Sequence, residues 1–286
     1  MSHPKPNPRI KALLFDIGGV CVVSPFQAIR DYEITNNIPR NWVNFAISRS
    51  GTQGAWQRLE RGEIQLTEDQ FFHPFQTDLH NERVWDEYWD VYIRKLELKP
   101  GSTSALPRRT TMHPPEMDTT ALFWSMMAVA RDPDPIMYPT LRYLRAEYPS
   151  LILAALSNTV PFPPEHPYSH PTSLDRDPRS WFDVFVSSSE VGLRKPSKDI
   201  YELAVRRLGA FVSEKGAEAI RPQEIVFLDD IGENCKMGTE VGLQVIKVEL
   251  GRTEDAVGEL GRRVFGVEDL VARVKAWGNT GSTSRL

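Results

Sequence analysis

Five short apolar runs, set among stretches of helical periodicity, constrain the fold of this 286-residue chain more than any other feature. They lie at 12–15, 151–156, 183–187, 224–228 and 243–248. A short run that is apolar on alternate and intervening positions alike needs cover on both faces, which a parallel sheet flanked by helices supplies. Strands alternating with helices therefore predict a doubly wound, Rossmann-like α/β fold with its ligand chemistry at the carboxyl ends of the strands. One of the connecting helices is expected from 198 to 208, capped by Ser197 and stopped by Gly209.

Between the first and second runs there is no strand signal. Ser24-Pro25 opens a helix with proline in its first turn, and Thr67-Glu68-Asp69-Gln70 has the pattern of a capping box. Val84, Trp85, Tyr88, Trp89, Tyr92, Ile93 and Leu96 recur at helical spacing, and Asp118 stands where it caps a helix carrying Leu122, Phe123, Met126 and Met127. This predicts an inserted helical cap over 22–134, containing a Pro/Ser/Thr-rich loop at 99–115, with the α/β core formed by 10–21 and 135–276. The tryptophans of the cap are expected to pack its interior rather than stack on a ligand, since large aromatics at this spacing fill a small helical layer.

The formal net charge of −4 argues against a nucleic acid or an anionic membrane as partner, and no apolar run reaches the length of a membrane span. Cys21 and Cys235 are too few for a disulfide framework, as befits a reducing compartment. His166 and His170 sit four apart among prolines, so they belong to a loop and not to a helical metal pair.

Four clusters carry the chemistry. Phe15-Asp16-Ile17-Gly18-Gly19 ends the first run in a carboxylate followed by two glycines, which let backbone approach a bound anion. Ser157-Asn158 ends the second with a hydroxyl and an amide suited to phosphate oxygens. Lys195 precedes the helix at 198, where an ammonium can neutralise a phosphate or a carboxylate pair. Asp229-Asp230, with Asn234 beyond them, follow the fourth run; adjacent carboxylates repel unless a cation offsets them.

An aspartate, a Ser/Asn pair, a lysine and a paired acid, in that order and each at a strand end, resemble the four motifs of the haloacid dehalogenase superfamily. The resemblance spans about 10–248 and is nearest to the subfamily of the N-terminal phosphatase domain of soluble epoxide hydrolases and the N-terminal domain of acyl-CoA dehydrogenase family member ten. It implies a Mg²⁺-dependent phosphatase acting on a small phosphorylated metabolite. By it, Asp16 matches the nucleophile and Lys195 the lysine that orients it; Ser157, Asn158, Gly18 and Gly19 match phosphate-binding positions. Asp16, Asp230 and the Gly18 carbonyl match the metal ligands, with Asp229 and Asn234 in support.

One position departs from that pattern. In the phosphatases, a second aspartate two residues after the nucleophile protonates the leaving group and activates water; here it is Gly18. A good leaving group, or an acid from the cap such as Asp31 or Glu33, would compensate. The competing readings are a non-catalytic binding or scaffold protein and a dehalogenase, whose halide leaves without a proton. The acid pair argues against the dehalogenase, because only a cation makes such a pair cheap.

The chain closes on a Gly/Ser/Thr-rich stretch, 277–286, expected to be flexible, whose last residues Ser284-Arg285-Leu286 resemble the address read by the peroxisomal import receptor. The resemblance implies import into the peroxisomal matrix; the alternative reading is a cytoplasmic location.

Overall fold

In the computed structural model, residues 4–94, 109, 111–171, 173, 176–216 and 218–279 are described. Most of the 99–115 loop, Leu96 and the Ser284-Arg285-Leu286 ending fall outside them.

Among the described residues, the first strand, β1 (Ala12–Phe15), leads into the inserted α-helices. These are α1 (Pro25–Thr35), α2 (Trp42–Arg49), α3 (Ala55–Glu60), α4 (His73–Leu79), α5 (Glu82–Glu87) and α6 (Thr119–Val129). Next come α7 (Met137–Glu147), β2 (Ile152–Ser157), β3 (Val184–Ser187), α8 (Ser188–Val191) and α9 (Lys198–Glu214). The chain then forms β4 (Ile225–Asp229), α10 (Gly232–Glu240), β5 (Gln244–Lys247), α11 (Thr253–Leu260) and α12 (Leu270–Asn279). All neighbouring strands are parallel, in the order β3-β2-β1-β4-β5, which puts β1 at the centre. Predicted and observed strands agree, with ends shifted by a residue or two.

The apolar runs bury both faces. Leu13, Phe15, Leu153, Ala155, Val226, Leu228 and Ile246 point to one side, against α7, α11 and α12. Ala12, Leu14, Ala154, Leu156, Ile225 and Phe227 point to the other, against Ile200, Tyr201, Ala204 and Leu208 of α9. Leu13, Leu14 and Phe15 are essentially inaccessible, each contributing about 1.5–3 kcal/mol by burial.

α9 runs further than the sequence predicts. It continues through Gly209 to Glu214, because Val212 extends the apolar stripe of Ala204 and Leu208 by one more turn. Gly209 stays out of the left-handed region, which Gly216 (φ 73°) enters instead just past the helix. Ser197 occupies the N-cap position, but its hydroxyl makes no capping hydrogen bond.

The inserted helices share one interior. Trp42, Trp85, Tyr88, Phe71, Phe75 and Phe123 are its largest fully buried side chains. Trp42 meets Trp85 edge-on with ring centroids 4.8 Å apart, and Phe71 stacks on Phe75 at 5.1 Å. The tryptophan-rich face is thus packing, as expected. Ser24 caps α1 by accepting from Phe26 N, and Asp118 caps α6 by accepting from Ala121 N at 2.8 Å. The capping box at Thr67 is only half formed: Thr67 accepts from Gln70 N, but the Gln70 side chain turns back to Gln65 N at 2.9 Å. α2 and α3 are not delimited by the sequence pattern. The chain leaves and re-enters the core through adjacent segments, Val23 N donating to Asp132 O (2.8 Å) and Asp134 N to Cys21 O (2.9 Å).

Candidate active site

Because the strands are parallel and in register, Asp16 follows β1, Ser157 ends β2, and Asp229 ends β4, all at one edge of the sheet. A cis Lys195–Pro196 peptide precedes α9. From there Lys195, 1% exposed, spans two carboxylates: its Nζ lies 2.8 Å from Asp16 Oδ1 and 2.7 Å from Asp229 Oδ2. An ammonium so deeply buried persists only where carboxylates hold it. Burial alone would lower its pKa; Asp16 and Asp229 more than offset this and raise it.

Asp229 is fully engaged. Besides the lysine, it accepts from Ile231 N (2.9 Å) and Asn234 Nδ2 (3.0 Å). Asp230 differs: its Oδ1 is buried without a hydrogen-bond partner among the described residues. Burial, then the neighbouring Asp229 charge, pushes the Asp230 carboxyl up to about 7. Burial likewise pushes Asp16 well above the usual carboxylate range; Lys195 opposes this, while Asp229 and Asp230 add to it. Oxygens of the three aspartates lie within 4.8 Å of one another. Three carboxylates beside one ammonium leave excess negative charge in a dry site, and with the orphaned Asp230 oxygen this set fits a hard divalent cation.

Gly19 is held at φ 77°, and a Cβ there would come 2.3 Å from Asp230 Oδ2. Only glycine lets the turn pass this close to the acid. Gly18 has no such requirement. A Cβ built on it would meet only Pro25 Cδ, at 3.7 Å, an ordinary contact.

Asn158 has a use that its position in the sequence does not announce. Its Oδ1 accepts from Lys195 N at 2.8 Å, and its Nδ2 donates to Lys195 O at 3.1 Å. This two-way clamp fixes the backbone from which the buried ammonium extends. Ser157 is 3% exposed and donates weakly to Asn158 O at 3.3 Å. The Thr159 hydroxyl is within 2.7 Å of Ser187 Oγ and 2.8 Å of Ser189 Oγ, tying the ends of β2 and β3 together.

Of the two cap acids considered as substitute proton donors, Glu33 is engaged elsewhere. Glu33 accepts from Asn41 N (2.6 Å) and Val43 N (2.9 Å), satisfying the start of α2. Asp31 is exposed and accepts from Gln27 Nε2. His166 and His170 flank a 3₁₀ turn, Pro167–Ser169, with the His166 ring stacked on Trp124 at 4.9 Å. Both thiols are buried, and burial raises their pKa, Cys235 to about 12. They are protonated packing groups, with Cys235 Sγ donating to Asp229 O.

One contact that sequence reasoning missed joins the helical insert to the site. Arg194, beside Lys195, pairs with Glu60 of α3 at 2.7 Å, and Ser188 Oγ donates to Glu60 O at 2.5 Å. A Cβ at Gly62 would sit 2.3 Å from Ser189 O, so the two layers touch backbone to backbone here.

This arrangement defines the class of protein: the chain has the fold of the haloacid-dehalogenase-like hydrolases. A predicted hydrolase of that fold from Porphyromonas gingivalis superposes with a TM-score of 0.50 at 19% identity, over 89% of this chain and 98% of that one. Among characterised proteins, it is related to acyl-CoA dehydrogenase family member 10 of Mus musculus, 30% identical over 250 residues (87% of this chain, 19% of that protein). Bifunctional epoxide hydrolase 2 of Sus scrofa is 24% identical over 260 residues, 91% of this chain and 39% of that protein. The chain therefore spans well under half the length of either relative. No family model matches it. No helix among the described residues is long and apolar enough to cross a membrane.

Proposed function

We propose that this chain is a Mg²⁺-dependent phosphatase that removes a phosphoryl group from a small metabolite through an aspartyl-phosphate on Asp16. The observation that carries the reading is Asp16 held 2.8 Å from a buried Lys195, beside an Asp230 oxygen that has no hydrogen-bond partner among the described residues. Lys195 opposes the effect of burial on the Asp16 charge and aims the carboxyl group. Asp16, Asp230 and the Gly18 carbonyl would hold the cation, with Asp229 and Asn234 bracing that shell. When bound, Mg²⁺ supplies charge neutralisation for the phosphoryl oxygens. The Ser157 hydroxyl and the Gly18-Gly19 backbone are the phosphate-binding groups in this reading, and the inserted helices are the cap that selects the substrate. With Gly18 in place of an acid, the substrates favoured are those whose leaving group departs without a proton, such as acyl and anomeric phosphates.

The absence of an acid at position 18 favours a second reading, a protein that binds a phosphorylated ligand without turning it over. Phosphate release from a panel of phosphate esters and acyl phosphates, with Mg²⁺ or with EDTA, separates the readings. A phosphatase loses release in EDTA and in Asp16→Asn. A binding protein shows ligand-dependent thermal stabilisation and no release from any substrate. Release of halide from 2-haloacids in EDTA would replace both readings with dehalogenation.

A further inference from the structure

Resting on the phosphate-binding role given above to the Ser157 turn, we propose that Ser188 is a positioning residue: its buried hydroxyl makes the shape of that turn depend on the insert being seated on the core.

Ser157 and Ser187 are paired neighbours at the ends of β2 and β3, so the residues after each lie at the active edge of the sheet. Beyond Ser157 the chain turns through Asn158 and Thr159. Beyond Ser187 it enters α8 with Ser188, which is wholly buried. The Ser188 hydroxyl has two partners: it accepts from Thr159 N at 2.8 Å and donates to Glu60 O at 2.5 Å. Glu60 is the last residue of α3, and a helix end leaves its final carbonyls without an intrahelical donor. One hydroxyl thus caps a helix of the insert and holds the backbone just past Ser157.

A second route joins the same points. The Glu60 carboxylate pairs with Arg194 at 2.7 Å, and at the next position Lys195 N donates to Asn158 Oδ1 at 2.8 Å. Glu60, Arg194, Lys195, Asn158, Thr159 and Ser188 therefore close a ring of hydrogen bonds and chain, in which Glu60 is the member from the insert.

The ring couples the two layers. Both Ser188 bonds rest on one side-chain orientation, and serine has other staggered orientations open to it. When the insert lifts, Glu60 O no longer holds that orientation, Thr159 N loses its acceptor, and the Ser157 turn relaxes. When the insert is seated, the turn is fixed in the shape that receives a phosphoryl group. Linkage makes the effect reciprocal: an anion that prefers the fixed turn tightens the seat of the insert by the same factor.

The test uses the full chain with Mg²⁺ and inorganic phosphate, native protein beside Ser188→Ala. Calorimetry is expected to give phosphate binding about tenfold weaker in the variant, the order of effect that a lost hydrogen bond has on an affinity. Hydrogen exchange is expected to show phosphate slowing the amides of α3 in the native protein and not in Ser188→Ala, a response that a purely structural serine would not give. Where Ser188→Ala fails to fold, Ser188→Cys weakens both bonds in nearly the same shape and carries the same comparison. Equal phosphate affinity in native protein and variant would overturn this inference and leave the phosphatase reading intact. Weaker binding in the variant, with no phosphate-dependent slowing of α3 in the native protein, would do the same and reduce Ser188 to a structural role. A native protein that neither binds phosphate nor releases it from any substrate would overturn both readings.

Discussion

Arg194 and Glu60, 134 positions apart, form an ion pair at 2.7 Å that ties helix α3 of the insert to the loop carrying Lys195. Glu60 is largely buried and Arg194 is about one-quarter exposed, so the pair is shielded more than a surface bridge but not fully dry. Glu60→Gln keeps the shape and removes the charge. It should cost about 1–3 kcal/mol, as loss of a hydrogen bond to a charged group does, read by urea unfolding. The same variant should raise KM more than it lowers kcat, because the insert's seat over the site is loosened while Asp16 and Lys195 stay in place. An unchanged KM would mean that the pair serves stability alone.

Adjacent glycines should respond in opposite ways. Gly18→Ala meets only ordinary contact, so its effect on stability should fall within about ±1 kcal/mol. Gly19→Ala must overcome a positive φ and an approach of 2.3 Å to Asp230 Oδ2, displacing the acid or the turn. It should cost about 1–3 kcal/mol and remove the thermal stabilisation by Mg²⁺ that native protein is expected to show. Thermal melts of both variants with and without Mg²⁺ check this; equal behaviour would refute the requirement for glycine at position 19 beside Asp230.

Gly209 lies inside α9 with no neighbour within 4 Å of an added Cβ. Gly209→Ala should therefore stabilise the fold by about 0.5–1 kcal/mol, the usual gain for alanine over glycine in a helix interior. Chemical denaturation measures it. A loss of stability would show that α9 ends nearer Gly209 in solution.

Glu224 ends the 3₁₀ turn just before β4 and accepts from Arg221 N at 2.7 Å, with Lys11 Nζ 3.1 Å away. The Arg221 backbone bond, then the Arg221 and Lys11 side chains, hold its carboxyl down at about 2. A folded-state pKa below the unfolded value contributes stability that is present above the ordinary glutamate range near ~4.3 and lost as pH falls towards the folded value. Glu224→Gln should therefore narrow the stability gap to native protein between neutral pH and strong acid. Unfolding midpoints across that range test the sign; a gap that widens in acid would contradict it.

The strand runs and the acids at the strand ends were legible because each is a local pattern; the central place of the Asp16 strand was not, since strand order is set by tertiary pairing. An apolar run followed by a carboxylate reads the same in any context. The caps at Ser24 and Asp118 were legible for the same reason, since a cap depends on atoms two or three residues away. Gly209 misled because a glycine's role is decided by whether the apolar stripe around it continues to pack, and Val212 shows that it does.

The sequence by itself thus determined which residues stand at the sheet edge, and that position 18 has no acid. Tertiary structure alone decided what those residues do to one another. It joined Lys195 to Asp16 and Asp229, turned Asn158 to the Lys195 backbone, left one Asp230 oxygen without a partner among the described residues and engaged Glu33 in the start of α2. The reason is physical. Periodicity reports burial, a sum over many weak contacts that a short window captures, whereas hydrogen bonds and ion pairs between distant segments depend on ångström-scale placement that only the packed fold supplies.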